Sequence, residues 1–262
     1  MREPLMNIAI QAARAAGDLI VRALDRPDKL SIHEKKPNDF VTNVDKQVER
    51  EIIAIIQKAY PQHSFLGEEG GRAGDHDGLW IIDPIDGTRN FIHGFPQFAV
   101  SIAYRYRNRI EHGVVYDPLR QELFTASRGK GAQLNERRIR VSTQKKLEHC
   151  LLGTGFPAHH SQAVQANYLK MLQVLIPICG DLRRAGAASL DLAYVACGRL
   201  DGFWEMGLQL WDTAAGALLV KEAGGLVCDI YGGEEHFKTG DIVAANPHVL
   251  RQILPLLKSG MS

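Results

Sequence analysis

Cysteine is scarce in this chain, and the four present (Cys150, Cys179, Cys197 and Cys228) are scattered, with no C-x-x-C pair among them. That argues against a zinc knuckle or a disulfide framework and fits a reducing cytosol, so a cytoplasmic location is expected. Long apolar runs are missing too. No stretch approaches the roughly 18 uncharged apolar residues of a membrane span, so no membrane partner is expected. The opening segment MREPLMNIAIQAARAAGDLI carries acidic residues and an amphipathic pattern, which predicts no signal peptide. Neither charge sign is in excess: 31 Lys and Arg face 30 Asp and Glu, for a formal net charge of +1. There is therefore no electrostatic case for nucleic acid as the main partner. What remains is an ordinary folding composition of 262 residues, 45% hydrophobic and 23% charged, enough for one large domain or two small ones.

Hydrophobic spacing predicts a helix over 5–24 and a second from about Asp45 to Tyr60, stopped by Pro61 and capped by Thr42. From Leu79 to about Val141 the pattern turns to strands. Leu79-Trp80-Ile81-Ile82 runs into Asp83-Pro84, residues 98–106 and 110–116 read as a hairpin, and ELFTAS as a further strand. After about 145, strands and helices alternate: LLGTGF, a helix over 161–176, a helix from Ala187 to Gly198, GFWEM, and a helix from Asp212 to Ala223 closed by Gly224-Gly225. The expectation is an N-terminal α+β half with an antiparallel sheet (1–144) and an α/β half (145–262), packed as one rigid unit.

Asp83-Pro84-Ile85-Asp86-Gly87-Thr88 carries the most chemistry. Two acids at a strand end, three residues apart, can point their carboxylates and a backbone carbonyl at one spot, as a magnesium ion with hard oxygen ligands requires. Gly87 and Thr88 then open a short helix whose N–H groups suit a phosphate. Taken alone, the same acids also fit an ordinary turn that caps backbone amides. Glu68-Glu69 also fits a solvated acidic loop, Asp212 a helix N-cap, and Asp45 the acid of a capping box with Thr42.

Taken together and in order, K-x-x-D-x-V-T-x-x-D, G-E-E, W-I-I-D-P-I-D-G-T-x-N-F and W-D-x-x-A-G resemble the inositol monophosphatase family of lithium-sensitive, magnesium-dependent phosphatases, over about residues 5 to 250. Details such as NDFVTNVDK, FAVSIA and LDLAYVACGRLDGF are most similar to its bacterial SuhB subgroup. The resemblance implies a layered αβαβα sandwich of the inositol monophosphatase / fructose-1,6-bisphosphatase type. It implies two to three Mg2+ ions, with Mn2+ as a substitute, held by Glu68, Asp83, the Ile85 carbonyl, Asp86 and Asp212. Glu68 and a Thr88–Asp45 pair would orient the attacking water. Asp86, Gly87, Thr88, Gly186, Ala188, Glu205 and Asp212 would meet the substrate, and Lys35 or Lys36 would lie near the metals. The implied reaction is direct attack of a metal-activated water on inositol 1-phosphate. Fructose bisphosphate, a nucleotide 3′-phosphate or another sugar phosphate would undergo the same chemistry. The resemblance also implies a homodimer and, from the subgroup, association with Nus factors and RNA polymerase in transcription antitermination. Two departures stand out: Arg89 replaces a Thr common in the family's D-G-T-T-N, and Gly70 stands where many members have Ser. Arg89 is expected to point outward, His159-His160 to be a solvated pair, and Arg183-Arg184 to serve structure or a subunit interface.

Overall fold

A computed structural model of the chain describes residues 3–36, 39–157 and 161–261. Helix α1 (Pro4–Leu24) is followed by a hairpin of β1 (Ile32–Lys36) and β2 (Asp39–Thr42), then α2 (Asn43–Ala59), β3 (Ser64–Gly67) and β4 (Gly71–Ala73). Strand β5 (Gly78–Asp86) leads into the short α3 (Thr88–Ile92), then β6 (Ala99–Tyr106), β7 (Arg109–Asp117), β8 (Glu122–Ser127), β9 (Gly131–Leu134) and β10 (Arg137–Arg138). The remainder is β11 (Leu151–Thr154), α4 (Gln162–Leu175), β12 (Asp181–Arg183), α5 (Ala188–Ala196), β13 (Gly202–Glu205), α6 (Leu210–Glu222), β14 (Leu226–Cys228), α7 (His236–Thr239), β15 (Ile242–Ala245) and α8 (Pro247–Ser259).

Two sheets organise these elements. The larger runs β10-β9-β8-β7-β6-β5-β3-β4 and is antiparallel except where β3 pairs β5. The smaller runs β12-β11-β13-β15-β14, with β11 parallel to both its neighbours. Helices α1 and α2 cover one face of the large sheet, α5 and α6 fill the space between the sheets, and α4 and α8 cover the far face of the small one. The layers are thus the expected αβαβα sandwich, with one apolar core under α1 and α2, one under α4 and α8, and a third that surrounds α5 and α6 between the sheets.

Strand β5 explains how an apolar run becomes a site. Trp80 and Ile82 face the core beneath α1 and α2, while Leu79 and Ile81 face the core beneath α6. A strand covered on both faces reads as continuous apolar sequence. It does not stop at Ile82 as the sequence predicts but continues through D-P-I-D, with its register against β6 shifting between Asp83 and Asp86. Pro84, which has no N–H to give a ladder, sits in that irregularity. The hairpin turn between β6 and β7 holds Arg107 and Asn108 at φ of 46° and 64°, the left-handed pair of a tight two-residue turn. At the middle of the sandwich β7 and α6 nearly touch: a Cβ on Gly113 would lie 2.9 Å from the carbonyl oxygen of Ala215.

Candidate active site

The end of β5 delivers Asp83 and Asp86, both buried. Asp83 Oδ1 accepts the Ile85 N–H at 3.0 Å, a turn-type bond that fixes its carboxyl at the strand irregularity. Asp86 Oδ2 accepts from the N–H (2.7 Å) and the hydroxyl (2.5 Å) of Ser189 in the first turn of α5. Asp212 comes from α6. The sequence places it as the opening N-cap, but the helix begins at Leu210, so Asp212 is its third residue and accepts the N–H of the capping Gln209 at 2.7 Å. Among the described residues, Asp83, Asp86 and Asp212 each offer a carboxylate oxygen within 4.8 Å of the others.

Such a gathering is costly as it stands. Two unit charges 4 Å apart repel by about 4 kcal/mol at an effective dielectric of 20. Burial, reinforced by the charges of Glu68, Asp86 and Asp212, raises Asp83 well above the usual carboxylate range. Asp212 is likewise raised well above it, by burial and then by Asp86. Asp86 is pushed up by burial to about 6, with the Ser189 bonds acting the other way. Oxygen donors of this kind, three to a spot, fit a hard divalent cation.

Around the trio the other expected residues fall as follows. Glu68 follows β3, half-buried, with its N–H given to the Ile82 carbonyl at 3.1 Å. It is not one of the three closest acids, but its charge acts on both Asp83 and Asp212. Asp45 is fully buried at the third position of α2. Its Oδ2 accepts the Thr42 N–H (2.9 Å) and hydroxyl (2.5 Å), completing the predicted capping box. Its Oδ1 lies 2.9 Å from the Thr88 hydroxyl, which is also 2.9 Å from the Ile85 carbonyl. Burial raises the Asp45 carboxyl, against the hydrogen bonds from Thr42 and Thr88. Gly87 adopts φ 91°, a left-handed conformation that side chains avoid, and a Cβ there would meet the Gln97 carbonyl at 2.9 Å.

The opposite wall comes from the small sheet. Glu205 ends β13, half-buried, and packs so closely over Gly155 that a Cβ on that glycine would collide with its carboxyl. Burial, then Asp191 and Asp86, push Glu205 up to about 8, while Arg184 opposes. Gly186 and Ala188 lie at the entry to α5. Asn90 ties this entry to the α3 turn, its side-chain nitrogen lying 2.9 Å from the Ala185 carbonyl and 2.7 Å from that of Gln97. Sequence reasoning missed Ser189, Asn90 and the buried Asp191. An acid inside the apolar S-L-D-L-A-Y-V-A helix was the available signal for the last.

The sequence also singled out several cations. Arg89 is exposed, with its guanidinium 5.2 Å from the ring centroid of Phe40 on β2, so it reaches the hairpin. Arg183 pairs with Asp181 at 2.5 Å, and Arg184 stands 5.0 Å over the Phe156 ring. The side chains of Lys35 and Lys36 lie outside those described, as do residues His159 and His160.

Acids drawn from the end of β5 and from a distant helix form a cluster that could hold a metal ion, and sequence comparison names the group. The inositol monophosphatase family model matches residues 1–261, and the chain belongs to that family of phosphatases. It is similar to the protein named Nus factor SuhB of Pseudomonas aeruginosa PAO1, 56% identical over 98% of this chain and 96% of that one. Among solved structures it resembles the extragenic suppressor protein suhB of Bartonella henselae: 45% identity, 98% of this chain and 100% of the other, TM-score 0.95. The inositol monophosphatase of Anabaena is 37% identical, with 97% and 95% coverage and a TM-score of 0.86. No helix among the described residues is long and apolar enough to cross a membrane.

Proposed function

We propose that the chain is a magnesium-dependent phosphomonoesterase that releases phosphate from inositol 1-phosphate by direct attack of water. The convergence of Asp83, Asp86 and Asp212 carries this reading. These acids, with Glu68 and the Ile85 carbonyl, would hold Mg2+, for which Mn2+ would substitute. A bound divalent ion there supplies charge neutralisation at the phosphoryl group and activation of water.

The chain's own residues do the rest. Thr88 has one hydroxyl proton and two acceptors in reach; donating it to Asp45 leaves an oxygen lone pair to accept from the attacking water. Glu68, whose charge acts on Asp83 and Asp212, would orient that water. The Gly87 and Thr88 N–H groups bind phosphate oxygens, and Gly87 lets the backbone come close. Asp86, Glu205 and the Gly186–Ala188 backbone receive the polyol hydroxyls. Both halves, 1–144 and 145–262, contribute and act as one rigid unit; the Ser189 bonds to Asp86 support that view. A homodimer is the expected assembly, on the family resemblance alone.

The test is phosphate release from inositol 1-phosphate, fructose 1,6-bisphosphate and adenosine 3′,5′-bisphosphate, with and without chelator. The reading expects Mg2+-dependent turnover, fastest on the inositol ester. Turnover indifferent to chelator ends it, and a faster bisphosphate redirects the substrate. A second reading is favoured by the name of the P. aeruginosa relative, Nus factor SuhB: a role in transcription complexes, which the subgroup resemblance extends to association with Nus factors and RNA polymerase. Asp86→Asn separates the two, since loss of hydrolysis with undiminished polymerase capture would assign that role independently of catalysis.

A further inference from the structure

Helix α2 presents two acids one turn apart, Asp45 and Glu49, in the stripe that also buries Val44, Val48, Ile52 and Ile56. Asp45 reaches the α3 turn. Glu49 is 4% exposed, and a buried acid needs compensating donors. It finds them in the loop after β3: Oε2 accepts the Glu69 N–H at 2.9 Å and Oε1 the Gly70 N–H at 2.7 Å. The loop fits around this carboxyl. A Cβ on Gly67 would collide with it, and one on Gly70 would stand 2.8 Å from Oε1. On its other side the same loop is fastened to β5 through the Glu68 N–H and the Ile82 carbonyl.

We propose that Glu49 is a positioning residue, fixing the loop backbone so that the Glu68 side chain is aimed at the Asp83–Asp212 space. The inference rests on the reading of Glu68 as a metal ligand. Bonds that orient a ligand from behind commonly change metal affinity by about 10- to 100-fold when removed. Glu49 leaves the cation itself untouched and acts only through the segment that carries Glu68.

Glu49→Gln keeps the shape but offers one acceptor to two N–H donors. Mn2+ binding to the full-length protein, measured by calorimetry, is expected to weaken about tenfold. Exchange of the Glu69 and Gly70 amides, followed by NMR without metal, is expected to accelerate. The deciding measurement is the double variant with Glu68→Gln: if Glu49 works through Glu68, the second substitution adds no further loss of Mn2+ affinity. Equal additive losses in both backgrounds show a general structural role and overturn the proposal. Unchanged affinity in Glu49→Gln, with a loss in Glu68→Gln, overturns it while leaving Glu68 as a ligand. Unchanged affinity in Glu68→Gln overturns the ligand reading and the inference with it. Should Glu49→Gln fail to fold, Gly70→Ala perturbs the same contact from the exposed side, with the same expectations.

Discussion

Asp83 is the most constrained side chain of the centre: it is buried, it accepts the Ile85 N–H, and it feels the charges of Glu68, Asp86 and Asp212. Replacing it by Asn keeps the oxygen that serves Ile85 and removes a charge that its neighbours repel. Asp83→Asn is therefore expected to raise the metal-free melting temperature while abolishing stabilisation by added Mg2+ or Mn2+. Thermal scans with chelator and with metal check this, and a lower metal-free melting temperature would show that the gathered charges are not the strain described. The pairing of D-P-I-D-G-T with W-D-x-x-A-G made this acid legible in sequence. Ser189 and Glu49 were not legible, because their meaning lies in contacts with Asp86 and with the Glu69–Gly70 loop, far away along the chain.

At the scale of elements, the long periodic helices α1 and α2 and the hairpin strands followed from spacing alone. The short pieces did not. Strands β12 and β14 have three residues each, too few to show a period, and Pro255 interrupts the pattern of α8 although Val249, Leu250, Ile253 and Leu257 still form its buried face. The four-residue α7 holds His236, which is 2% exposed and whose two ring nitrogens find no hydrogen-bond partner among the described residues. Burial, with Lys221 adding to it and Asp229 opposing, lowers its pKa from 6.5 to about 4. Between those values the unfolded chain binds a proton that the folded chain refuses, so this group costs stability as pH falls below 6.5. From pH 7 to 5 the loss is about 2 kcal/mol. His236→Leu is expected to reduce the drop in urea-measured stability over that range by this amount; equal drops in both proteins would refute the assignment.

For the molecule as a whole, the layer between the sheets decides how closely everything packs. Helix α6 is flanked by Gly113 of β7 on one side and Leu192 of α5 on another, and its A-A-G-A run leaves room for both. A methyl at Gly113 meets the Ala215 backbone at 2.9–3.0 Å, where nothing flexible can yield. Gly113→Ala is expected to lower unfolding free energy by about 1–3 kcal/mol. It should also weaken metal binding, since α6 carries Asp212; denaturant titration and calorimetry read the two effects separately, and a neutral result would mean the layers can slide apart.

The ladder of bonds from Asp86 to Ser189, and the arrival of Asp212 on α6, bear on biosynthesis. Translation runs from the amino end, so a ribosome has finished β5 and its acids while the polypeptide that will supply Ser189 and Asp212 is still unmade. A product terminated before Trp211 lacks the third acid. Nascent and truncated chains thus lack the complete cluster of Asp83, Asp86 and Asp212, which assembles only when the last third of the protein emerges.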